Sequence, residues 1–298
     1  MRLLTQALLV LTAVLTQQGP AAAQPVQTAS CAACAFVAAR SSPGEEAVAR
    51  ALCARTLGVL DALGRWRDSF LAAPHYTELF SVIYWHITRS EMQAIAEGRY
   101  AHPLEILRQI DAFFDAYAWN RTRFEAGLSP EPHWLAHFSA TAEADRAFGQ
   151  VGRGMAFDTP DMVQQVIALG MVAHIEFDLP RSLRHAFTAR RDPGVTVERM
   201  AADFRAADEI FAIAIAAMAA DINTAVSATS DWDPALLRPE VMRWFGDILA
   251  RQRTEALRLR HGAWAAAVGN APLPTGNAPH PPPGPRPPVD CQGDAAHD

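Results

Sequence analysis

The chain contains no lysine: all 26 of its basic residues are arginine. That absence removes Schiff-base chemistry, the phosphate-loop lysine and a lysine general base from the reactions open to it. Net positive charge is lacking too, since 32 acidic residues leave a formal charge of -6. With no basic run, this balance argues against nucleic acid as a partner. Apolar runs of spanning length are also missing: a membrane helix needs about 20 residues, and LLTQALLVLTAVLT ends at Thr16. Alternating, β-branched stretches of the kind that form strands do not occur. What is abundant is alanine, roughly a fifth of the chain and far above ordinary usage. Together with arginine in place of lysine, this reads as the product of a GC-rich genome.

The first residues read as an address. Arg2, the apolar stretch and Ala21-Ala22-Ala23 follow the order of a secretory signal, with small residues at the cut. The expected organisation is a signal peptide over 1–23, a flexible mature N-terminus over 24–44 carrying a cysteine pair, a helical domain over 45–269, and a Pro-rich disordered tail over 270–298. Gln24 becomes the first mature residue, and the mature chain, with no membrane span, is exported to the periplasm or the medium. In such an oxidising compartment Cys31, Cys34, Cys53 and Cys291 favour disulfides, with three connectivities that sequence cannot separate. Cys31-Ala32-Ala33-Cys34 also has the spacing of a redox pair or half a zinc knuckle. No strand pattern precedes it, and no further ligands follow at ribbon spacing. A bridge to Cys291 would tie the tail back to the N-terminal region.

Beyond the address, apolar residues recur at three- and four-residue intervals. The pattern predicts an all-α domain, a single bundle of about seven or eight helices near 45–63, 75–97, 103–126, 132–147, 160–178, 181–190, 196–228 and 239–268. Prolines at 74, 103, 130, 160, 180, 193 and 234 mark the breaks, and Gly127 and Gly269 stand where helix ends favour glycine. Thr159 before Pro160 has the form of a helix cap.

Several polar residues stand in apolar stripes. His174 shares a face with Ile167, Gly170 and Met171, and Asp178 lies four residues on. This pair can bind a metal, or the carboxylate can orient the imidazole for proton transfer. Alternatively, Asp178 caps the following helix and His174 is a hydrogen-bonded core residue. Asp111 stands among Leu104, Leu107, Phe114 and Ala118, and Asp208 among Phe204, Phe211, Ile215 and Met218. Buried carboxylates need partners, and Arg260, four residues before Trp264, is a candidate. Asp111, His174, Asp178, Asp208 and Arg260 therefore form a candidate buried polar cluster. His133 and His137 have metal-ligand spacing without the glutamate of a zincin motif. His86 sits inside an apolar helix, and Asn120-Arg121-Thr122 matches a glycosylation sequon as readily by chance.

The run Gly170-Met171-Val172-Ala173-His174-Ile175-Glu176-Phe177-Asp178-Leu179-Pro180 resembles the G-M-x-A-H-I-x-x-D-L-P centre of a bacterial all-helical family catalogued only as a domain of unknown function. IDAFFDAYAWN, PEPHWLAHF, the segment from Asp203 to Asp208 and Arg260-His261-Gly262-Ala263-Trp264 resemble its other marks, in order. Asp208 stands where that family would have asparagine. The resemblance covers roughly 75–268 and implies an all-helical fold without a mechanism. Two functions remain. One is a binding or structural module whose partner is a small molecule or a protein, with its polar cluster around His174. The other is a metal-dependent hydrolase or metal-binding protein, with a divalent metal on His174 and Asp178 completed by Asp111 or Asp208.

Overall fold

The computed structural model describes residues 26–73, 75–148, 160–189, 195–229, 251 and 253–269. The expected signal segment, the expected Thr159 cap and the Pro-rich tail lie outside them. Among the described residues every regular element is helical, as the periodicity predicts. The helices are α1 (Val26–Arg40), α2 (Glu46–Ala72), α3 (Tyr76–Ala96), α4 (Pro103–Glu125), α5 (Pro132–Phe148) and α6 (Pro160–Met171). A π-helical segment (Val172–Asp178) leads into α7 (Leu179–Ala189), followed by α8 (Val197–Thr229) and α9 (253–268).

Helix α3 is the axis of the bundle, with α1, α2, α5, α6 and α8 all packed on it. Its sequence explains the position: Leu79, Phe80, Val82, Ile83, Tyr84 and Trp85 are all buried, and a helix that is apolar all round belongs inside. Helix α4 packs on α2 and α7. It closes as a glycine stop should: Gly127 has φ +70°, and Leu128 N–H reaches back to the Arg123 carbonyl.

Three expectations are corrected. The segment expected to be flexible over 24–44 contains helix α1. Its alanines carry little helical penalty, and Ala33 and Val37, one turn apart, are buried in the same core as Cys53. The helix expected to end at residue 63 runs to Ala72. Gly64 does not stop it, because a side chain there would meet Trp85: an added Cβ would lie 3.3 Å from Trp85 Nε1. Third, Pro180 does not break the chain into two helices. The π segment joins α6 to α7, and Leu179 N–H bonds the His174 carbonyl five residues back. The widened turn accommodates a residue that has no N–H to donate.

The cysteines also sort themselves. Cys34 and Cys53 are free, and the contact with Cys34, together with burial, pushes the Cys53 thiol well up. Cys291 lies outside the described residues. Asn120 of the sequon is fully buried, with its amide donating to the Ala116 carbonyl and to Glu131. It is therefore closed to glycosylation in the folded protein.

Helix α6 approaches α3 and α5 through Gly170, where an added Cβ would lie 2.5 Å from Phe80 Cδ2 and 3.1 Å from His137 Cε1. The Phe80 ring is itself held by Tyr117, Trp134, His137 and His174, so it has little room to yield. Gly170→Ala gains about 1 kcal/mol of helix propensity and loses more through overpacking. A net destabilisation of about 1–2 kcal/mol is expected in urea unfolding; an unchanged or raised midpoint would contradict this packing.

Candidate functional site

Where α4, α5 and the π segment meet, Glu131 and Asp178 lie side by side with almost no solvent contact. Arg181, one turn beyond Asp178, sits between them, donating to Glu131 Oε1 at 2.9 Å and to Asp178 Oδ1 at 2.8 Å. His133 Nε2 approaches Glu131 Oε2 at 3.4 Å and Asp178 Oδ1 at 3.6 Å, with its ring stacked on Phe177. The Trp134 indole donates to Asp178 Oδ2 at 2.9 Å. Asn120 donates to Glu131 Oε2 and accepts the Glu131 backbone N–H.

Electrostatics follow from these contacts. Burial pushes the Glu131 carboxyl up, but His133, Arg181 and Asn120 outweigh it and hold it well below the usual range. For Asp178 burial is likewise overcome, here by His133, His174 and Arg181. Burial lowers the His133 imidazole, while Asp178 and Glu131 more than reverse that and favour its charged form. Two carboxylates thus face one guanidinium and one imidazole that is easily charged. The cluster is balanced by protein groups alone.

His174 occupies a different environment. Its Nδ1 lies 3.5 Å from Asp178 Oδ2, and neither ring nitrogen has a hydrogen-bond partner among the described residues. Phe113 covers one face, ring centres 3.3 Å apart and nearly parallel, and Tyr84 meets it edge-on at 4.5 Å. Burial lowers its affinity for a proton, and Asp178 compensates only partly. The imidazole lines an apolar cavity among α3, α4, α6, the π segment, α8 and α9, whose empty space comes to about 1030 Å³ when the open solvent at its mouth is counted. Phe80, Tyr84, Phe113, Phe204 and Phe211 supply aromatic walls, with Thr88, Glu91 and Arg260 among the few polar groups. Burial pushes the Glu91 carboxyl up to about 7, against its hydrogen bond from Tyr100 and the charges of Arg260 and Arg99.

The residues singled out from sequence do not all meet. His174, Asp178 and His133 lie in or against the cluster. Asp111 instead pairs with Arg55 across α2 and α4 at 2.6 Å. Asp208 is half-buried and pairs with Arg260 (3.2 Å) and His261 (2.9 Å) between α8 and α9. Arg260 rejoins His174 only as part of the cavity wall. His137 does not pair with His133: its Nδ1 faces the Val166 carbonyl at 3.2 Å, and burial lowers its pKa to about 4. His86 bonds Asp221 at 2.8 Å. The cap role considered for Asp178 is replaced by its contacts with Trp134 and Arg181. Sequence reading missed Glu131 and Arg181, although each had a signal: Glu131 stands two residues before His133, and Arg181 three residues after Asp178.

Among the described residues, Glu131, His133 and Asp178 can each offer one ligand atom within 4.8 Å of the others, so this donor set fits a divalent ion chemically. The Arg181 guanidinium, already bonded to both carboxylates, competes with it.

Fold and site together define an all-helical domain with a charge-balanced buried cluster beneath an apolar cavity. The chain belongs to the Family of unknown function (DUF5995), whose family model matches residues 57–279. No curated protein and no solved structure matches it.

Arg181→Met leaves two adjacent carboxylates with one imidazole, and at pH 7 should destabilise by about 3 kcal/mol, at the low end for broken buried pairs because Arg181 is partly exposed. Both carboxyls have folded pKa values below their unfolded ones, so the wild-type stability they supply is present above pH ~4 and lost as pH falls through the folded values. Denaturant midpoints should therefore differ most near neutrality and converge below pH ~4. An equal gap at pH 7 and pH 3 would refute the arrangement.

Proposed function

We propose that this protein is an exported helical binding module that holds a small apolar molecule in the cavity beside His174. The observation that carries the reading is an apolar, aromatic-walled cavity with an unpartnered buried imidazole in its lining. Ligand sites are characteristically concave, mostly apolar and furnished with a few convergent polar groups. The ion cluster has the separate task of fixing the π segment that presents His174.

One observation favours a second reading, a metal-dependent hydrolase or metal-binding protein: the ligand-capable trio Glu131, His133 and Asp178. Of the acidic residues first considered for that site, Asp111 and Asp208 are paired elsewhere, and Arg181 neutralises the trio without an ion.

A neutral fluorescent naphthylamine probe, N-phenyl-1-naphthylamine, tests the first reading. Wild-type protein should bind it with enhanced fluorescence, and Ala207→Phe, which places a ring in the wall, should weaken binding at least ten-fold while remaining helical. Equal binding by the variant would place the probe elsewhere and remove the reading. One equivalent of Zn²⁺ or Mn²⁺ retained by untagged protein, and lost in Asp178→Asn without unfolding, would install the metal reading in its place.

Export and a bridge between Cys31 and Cys291 belong to the same proposal. Support comes from the signal-like first residues and from Cys34 and Cys53 being free thiols, which leaves the other two as the remaining pair. Peptide mapping of secreted protein without reductant should find a chain beginning at Gln24 and a linked Cys31–Cys291 peptide. Four alkylatable thiols, or an intact Met1, would overturn it.

A further inference from the structure

Three features of the cavity narrow what it can hold. The first is the orientation of proton and lone pair on His174. Asp178 Oδ2 is the nearest anionic oxygen, 3.5 Å from Nδ1, and a carboxylate on that side favours the tautomer with its proton on Nδ1. Nε2 then carries the lone pair, and no group among the described residues donates to it. A buried acceptor without a donor costs about 1–3 kcal/mol, which an incoming O–H group would relieve.

The second is the position of the ring. With Phe113 stacked on one face and Tyr84 and Phe80 packed at steep angles against the ring, a ligand cannot stack on the Phe113 face, and a polar contact must come from the direction of the ring nitrogens. The direction therefore suits a single hydrogen bond rather than face stacking. Thr88, on the same α3 stripe as Tyr84 and Glu91, adds a buried hydroxyl that also has no partner among the described residues.

The third is charge. Arg260 is the cation in the wall, and it is committed: Nε to Asp208, a terminal nitrogen to the Phe204 carbonyl at 2.9 Å, and its plane between the Phe204 and Phe211 rings. The chain has no lysine to replace it. Glu91 already accepts the Tyr100 hydroxyl. An anion entering here would find no free cation among the described lining residues, and an unpaired buried charge is costly.

We infer that the cavity takes an uncharged apolar alcohol or phenol, whose hydroxyl donates to Nε2 of His174 and whose hydrocarbon body packs against Phe80, Tyr84 and Phe211. This rests on the binding reading given above.

The test compares 1-naphthol, 1-methylnaphthalene (similar in size, without a donor) and 1-naphthoate, each displacing N-phenyl-1-naphthylamine from the full secreted chain. The preference for 1-naphthol over 1-methylnaphthalene, as a ratio of Kd values, should fall about ten-fold in His174→Phe. His174→Gln, whose amide oxygen can accept, should restore most of it. Because each ratio compares the same two ligands, their different hydration cancels between variants. In wild type, 1-naphthoate should bind at least ten-fold more weakly than 1-naphthol, a comparison that stands even if His174→Phe fails to fold. An unchanged ratio in a folded His174→Phe, or 1-naphthoate binding as tightly as 1-naphthol, overturns the alcohol inference and leaves the binding reading intact. Failure of wild type to bind the naphthylamine or any of the three naphthalenes removes both.

Discussion

Two carboxylates buried side by side set the terms for this bundle. Glu131 precedes α5 and Asp178 ends the π segment, and neither has solvent to stabilise its charge. Burying such a group unpaired would cost several kcal/mol or force it to take up a proton. The neighbouring elements are arranged in answer: α7 supplies Arg181, α5 supplies His133 and Trp134, and α4 supplies Asn120. Four pieces of chain are thereby held in one register. A replacement by apolar residues could match the stability but would not specify these directions.

That register is what leaves His174 as it is. Asp178 meets Trp134 and Arg181 at good hydrogen-bonding distances but His174 at 3.5 Å. The carboxylate orients the ring without satisfying it. On one side the protein completes its polar contacts, and on the other it leaves a buried, unpartnered imidazole in the wall of an aromatic chamber. The same division recurs across the cavity, where Arg260 is enclosed by Asp208, a carbonyl and two rings. The chamber is therefore close to neutral despite Glu91, His174 and Arg260 in its lining.

How far this was legible in the sequence depends on the range of the interaction. Helix class and most boundaries rest on local periodicity, and α3 to α5 lie within a residue or two of their expected ends. His174 and Asp178 were legible because they share one stripe. The pairing of Asp111 was not, since Arg55 is 56 residues away and nothing local points to it. Arg181 and Glu131 lie 50 residues apart and meet only once α5 folds against the π segment. Helix α1 is hidden for a different reason: its alanine-rich sequence carries little apolar pattern, and the helix forms against the surface that α3 offers. No helix among the described residues is long and apolar enough to cross a membrane, which the length of the apolar runs had already indicated.

The stretch from α6 to α7 carries one further meaning. Ile167, Met171, Ile175, Leu179, Leu183 and Phe187 are all in the core, and every step between them is four residues. A plain α-helix of 3.6 residues per turn cannot keep such a row on one side; it must interleave threes or the row winds around the axis. A turn closed five residues back takes up the surplus. An unbroken ladder of fours beside a proline is thus a written notation for a wide turn. A homologue one residue shorter between 172 and 178 would need a step of three there, and its turn could then close as plain α-helix with the arginine still one turn beyond its carboxylate.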